Sequence, residues 1–119
     1  MNLDELREYV WERAPLGRAI IGRSTVNDLV QLTVENWEPQ MLRAAAADGQ
    51  TEIVCKSMEA SVKRMHQLMS GKEPREYGIF WSFILQLMVS AIIQIVLRWW
   101  QERPANRVFL LTMQAELTK

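Results

Sequence analysis

Residues 77–97 read YGIFWSFILQLMVSAIIQIVL, twenty-one consecutive positions without a charged side chain. At a rise of about 1.5 Å per residue, a helix of this length spans about 31 Å, against about 30 Å for the hydrocarbon core of a bilayer. Tyr77 and Trp81 lie toward one end, Trp99 and Trp100 just past the other, and Arg75 and Arg98 bracket the run. Paired aromatic and basic flanks of this kind mark membrane–water boundaries. The segment therefore reads as a membrane span within a helix of about 75–103, with Tyr77, Trp81, Arg98, Trp99 and Trp100 as interfacial anchors. The alternative is a helix buried as the axis of a soluble bundle, wrapped by the preceding helices or by neighbouring copies. Lys63, Arg64, Lys72 and Arg75 before the run and Arg98, Arg103 and Arg107 after it are too evenly divided to orient a span.

Within the run, Ser82, Gln86, Ser90 and Gln94 recur every four positions and lead into Arg98. Four residues turn a helix through about 400°, so successive members drift by about 40° and trace one slowly spiralling seam. A buried amide without a partner costs roughly 1 to 3 kcal/mol, so the seam calls for another helix in lipid and in water alike. It is read as the helix–helix contact of a self-associating protein.

Outward from this segment, every element is helical. Residues 2–14 open with Asn2 as a cap and Glu5 at the third helical position, and Leu3, Leu6, Val10 and Ala14 keep helical spacing. Pro15 and Gly17 end that helix, and the connector 16–23 carries Ile20 and Ile21 toward the core. Thr25 and Asp28 resemble a capping box, after which Val26, Leu29, Val30, Val34, Trp37 and Met41 form one broad stripe. Pro39 requires a kink or a fresh helical start near Glu38, and Gly49 supplies a stop. In 51–70, Val54, Met58, Val62, Met65 and Met69 face inward, and Glu52–Lys56 and Glu59–Lys63 are spaced four apart; Gly71 and Pro74 mark its end. A short helix at 106–117 completes the chain. The expected fold is all-α with about five helices: an amphipathic set in 1–71, the long apolar helix in 72–103 and the short helix in 104–119.

The chain has 119 residues, 49% of them hydrophobic, with 14 basic and 14 acidic side chains and one cysteine. That length suits one domain, and the composition is too apolar and too balanced in charge for intrinsic disorder. The balance hides an asymmetry: residues 1–60 carry six basic and ten acidic side chains, and residues 61–119 carry eight and four. A chain without surplus positive charge is not expected to bind nucleic acid. One cysteine excludes an internal disulfide framework. The acidic start, Asp4 to Glu12, lacks the basic and apolar regions of a signal peptide, so none is expected.

Candidate chemistry is sparse. Cys55 and His66 are the only thiol and imidazole, 11 residues apart on one helix, or about 16.5 Å along its axis, far beyond the roughly 3 Å that a nucleophile and its base require. Asp4, Glu5, Glu8 and Glu12 read as the wet face of a helix, and Gly17 and Gly22 lack the lysine and hydroxyl of a phosphate loop. No metal, cofactor, nucleotide or small-molecule substrate is expected, and no enzymatic activity. The expected function is that of a membrane-anchored helical protein acting by self-association or by holding a partner at a membrane, with membrane permeabilisation as a variant. The alternative is a soluble, cytoplasmic, homo-oligomeric structural subunit of a viral or cellular assembly.

Overall fold

Six apolar helical stripes in one short chain can be satisfied only by facing one another. The computed structural model, which describes residues 2–14, 21–71 and 78–118 (for residues 78 and 79, the backbone only), shows how they do so. The helices are α1 Leu3–Arg13, α2 Arg23–Glu35, α3 Pro39–Ala47, α4 Thr51–Ser70, α5 Gly78–Glu102 and α6 Pro104–Leu117, and no strand occurs among the described residues. The all-α class follows the expectation, with six helices where about five were expected. Pro39 makes the difference: at the first position of α3 its missing N–H costs nothing, so the chain restarts there instead of kinking.

Local chemistry sets the other boundaries. Asn2 Oδ1 accepts a hydrogen bond from the Glu5 amide at 3.0 Å and caps α1. The expected capping box at Thr25 is absent; α2 begins two residues earlier at Arg23, after Gly22 with φ 91°, a backbone region that favours glycine. Gly71, with φ 69°, closes α4 in the left-handed conformation. The corner between α5 and α6 is the tightest. An α-helix leaves its last four carbonyls without helical partners. Here Asn106 Nδ2 donates to the Trp99 carbonyl at 2.8 Å and Arg107 Nε to that of Trp100 at 3.3 Å. Pro104 opens α6 directly after Arg103, so side chains of the new helix complete the end of the old one.

Buried residues from all six helices join one hydrophobic cluster. α2 touches α1, α4, α5 and α6, and α5 packs on α1, α2, α4 and α6. Ile92, Ile93 and Val96 of α5 are completely buried in that core, as are Leu29 and Val30 of α2. Trp100 lies edge-on to Trp37, with ring centroids 6.0 Å apart and planes at 65°, and Trp99 lies edge-on to Phe109 at 6.3 Å. Gln114 of α6 donates to the Trp37 carbonyl at 2.6 Å, tying the last helix to the α2–α3 corner.

Candidate functional site

α5 is long and apolar enough to cross a membrane, with a mean hydropathy of 2.1 in its most apolar window, yet 44% of that window is buried by the rest of the chain. It is neither sheathed on all sides nor bare. Its buried side carries Ile84, Leu85, Met88, Val89, Ile92, Ile93, Val96 and Leu97. The opposite side exposes Phe80 (71%), Phe83 (59%) and Leu87, spaced at i, i+3 and i+7 and hence one stripe. Beyond Leu87 this side turns polar, with Gln94 and Arg98 exposed.

α4, which packs on α5, has a matching end. Val54, Met58 and Val62 are buried, whereas Met65 and Met69, next along the same inward stripe, are uncovered, and Leu68 beside them is 68% exposed. The expectation that Met65 and Met69 face the core therefore fails at this end. The side chains lie on the core-facing stripe, but no described helix covers them there. Six large apolar side chains are thus exposed on α4 and the first half of α5, while most other described apolar residues are buried. Exposed apolar groups gathered in this way mark interaction surfaces, and methionine adapts its shape to what it meets.

The polar seam begins against α4 of the same chain. Gln86 Nε2 lies 3.5 Å from Glu59 Oε2, and Gln94 hydrogen-bonds the Cys55 thiol. Ser82, Gln86 and Ser90 are half-buried, and Gln94 is exposed. The drift of about 40° per step brings the seam to the edge of the flank that packs on α4, where Gln94 is exposed yet still reaches Cys55.

Of the anticipated membrane anchors, Tyr77 lies outside the described residues, as does the connector residue Ile20. Trp81 is half-buried against the core and Arg98 is exposed. Trp99 and Trp100 are buried, at 5% and 4% exposure, and reach no surface. The Arg103–Pro104 corner folds α6 back across them, which their position at the end of an apolar run does not reveal.

Cys55 and His66 are both buried on α4. Burial raises the thiol above its usual range, Glu59 and Glu52 add to this, and the Gln94 hydrogen bond opposes it, so the nucleophilic thiolate is suppressed. Among the described residues, no group of three or more His, Cys, Asp or Glu side chains could hold a metal ion. Burial lowers the pKa of His66, the Asp28 carboxylate pulls the other way, and Nδ1 of the ring is buried without a hydrogen-bond partner. The unfolded chain therefore binds this proton more readily than the folded one. The sign follows: the stability contribution is intact above the ordinary histidine value of about 6.5 and is lost as pH falls below it. Urea midpoints should drop between about pH 6.5 and 5 in the wild type and drop less in His66→Leu; identical slopes would show that His66 does not carry the effect.

No protein-family model, curated protein or solved structure matches this chain.

Proposed function

We propose that this chain is a non-enzymatic helical protein that attaches to a membrane through the exposed stripe of α5 and the adjoining end of α4, and there holds further copies of itself or a partner. The observation that carries this reading is the uncovered set Phe80, Phe83 and Leu87 with Met65, Leu68 and Met69. A helix set against lipid along one apolar stripe buries that face among the acyl chains and keeps its remaining surface elsewhere. α5 meets that requirement with one side in the chain's own core and the other open. The charge distribution favours the same partner. Residues 61–119 carry eight basic and four acidic side chains, and Arg64, Arg98 and Arg103 are exposed, which suits an anionic lipid surface.

Attachment along one stripe differs from a full span. Ile92, Ile93 and Val96 are wholly buried, so a solitary spanning α5 would have to leave the bundle and uncover the core residues it now touches. The soluble-oligomer reading has its own support in that burial, because the same exposed set could instead be covered by a second copy. Vesicle flotation separates the two. The full chain is expected to float with liposomes and to require detergent for release. A chain that stays with the soluble fraction as a defined oligomer, whatever the vesicle composition, would overturn the membrane reading.

A further inference from the structure

A groove of about 430 Å³ runs between α1 and α5, lined by Tyr9 and Arg13 from the first helix and by Gln94, Ile95, Arg98 and Glu102 from the second. We propose that this groove seats the phosphate of an anionic lipid headgroup, whose acyl chain lies along the exposed α5 stripe toward Leu87 and Phe83. The inference rests on the membrane reading and names the lipid chemistry that the surface recognises.

The two arginines approach from opposite walls in different states. Arg13 is held in place: Nη1 donates to the Tyr9 carbonyl at 3.1 Å, and the guanidinium stands 3.5 Å over the Tyr9 ring. The same Nη1 lies 3.6 Å from Glu12 Oε2, and Nε and Nη2 have no hydrogen-bond partner among the described residues. Arg98 is exposed and has no hydrogen-bond or ion-pair partner among the described residues. A guanidinium presents a planar fork of donors that matches phosphate oxygens two at a time. Glu102 already accepts from the Tyr9 hydroxyl at 3.4 Å, which places the one lining carboxylate at the wall shared with Tyr9. Two guanidinium groups and one carboxylate line the groove, and Glu12 pairs with Arg13 from outside the lining, so the unpaired cation offered to a phosphodiester is that of Arg98. The second carboxylate oxygen of Glu102 is available to accept from a hydroxylated headgroup such as glycerol.

The helix supplies the path for the chain. Arg98 and Leu87 are 11 residues apart, about three turns, and Leu87 and Phe80 are 7 apart, about two, so all three share one side of α5. From Arg98 to Leu87 the axis runs about 16.5 Å, close to the roughly 15 Å that one leaflet contributes to a hydrocarbon core. A headgroup at Arg98 therefore sets its chain past Ile95 and Ala91 onto Leu87, and Phe83 and Phe80 continue the same apolar surface. The apolar stripe and the free arginine thus occupy the positions of tail and head of one molecule.

The test is flotation of the full chain with vesicles of phosphatidylcholine alone or mixed with phosphatidylglycerol, comparing the wild type, Arg98→Gln, Arg13→Gln and Arg43→Gln, the last an exposed arginine of α3 remote from the groove. Phosphatidylglycerol is expected to strengthen binding. Arg98→Gln should weaken it about five-fold on mixed vesicles, leave binding to phosphatidylcholine and thermal stability unchanged, and exceed the effect of Arg43→Gln. Arg13→Gln should act in the same direction. Free glycerol phosphate, the headgroup without its chain, should compete only weakly. Equal losses in the Arg98 and Arg43 variants, or no response to phosphatidylglycerol, would overturn the headgroup site while leaving membrane attachment standing. Competition by glycerol phosphate as strong as that by the lipid would overturn the lipid as occupant. Failure to float with either vesicle would overturn both readings.

Discussion

Replacing Trp100 by alanine is expected to destabilise the folded chain by about 3 to 5 kcal/mol, the cost of removing a large buried aromatic side chain and leaving its cavity. The ring is surrounded on two sides by named partners, with Trp37 edge-on at 6.0 Å and the Arg107 guanidinium 5.0 Å from its centroid. It joins α5 to the α2–α3 corner and to α6, so its loss loosens both junctions together. Domains of this size hold about 5 to 15 kcal/mol in total, and the melting temperature should fall by on the order of 10 °C or more. Thermal unfolding in plain buffer measures it. Trp100→Phe should be much milder, because it keeps a ring in the cavity and removes an indole N–H that is buried without an acceptor. An interfacial anchor behaves differently: its truncation leaves the melting temperature in buffer unchanged and weakens lipid attachment. That outcome for Trp100→Ala would contradict its place in the core.

The second large effect is expected at the opposite end of α5. Phe80→Ser together with Phe83→Ser removes two rings that are mostly exposed, so the melting temperature in buffer should hardly move. On vesicles the outcome reverses. Burying a phenylalanine side chain is worth about 1.5 to 3 kcal/mol, and for two rings already partly covered about 2 to 4 kcal/mol remains to be lost. Vesicle affinity should fall by a factor of about thirty at the low end of that range. A double variant that floats as well as the wild type would show that the stripe does not meet lipid. A variant that floats normally but no longer forms oligomers would assign the same surface to a second copy of the chain. The two variants thus separate α5 into a half that stabilises the bundle and a half that presents an apolar surface.

Much of the local structure was legible in the residues. Asn2 caps α1, Gly71 ends α4 with a left-handed backbone, and Pro39 forces a break, because each depends on chemistry within one turn of helix. The spacing of Leu6 and Val10, or of Val54, Met58 and Val62, likewise identifies an inward face from helical geometry alone. The capping box at Thr25 shows where such reasoning stops. A hydroxyl and a carboxylate at the right spacing stabilise a helix start, but Gly22 provides an earlier turn, and α2 begins there.

The site was far less legible. In a run without charges, Phe80 and Phe83 cannot be told from Ile92 and Ile93 by apolar character, although the first pair is exposed and the second wholly buried. The one available signal was the position of Phe80, Phe83 and Leu87 on the side of the helix that later carries Gln94 and Arg98. Nor does spacing disclose a groove whose arginines lie 85 positions apart, at 13 and 98.

What the amino-acid order determined by itself was helix: where most of them begin or stop to within a few residues, which stripe of each is apolar, and that the fifth has an apolar stretch long enough to match a bilayer. Which part of each stripe is covered was decided only in three dimensions. Periodicity is a property of one helix, whereas burial depends on how far its neighbours extend. α6 turns back at Arg103–Pro104 and encloses Trp99 and Trp100. At the α4–α5 end no described helix reaches over Met69 and Phe80, and the same kind of side chain stays exposed.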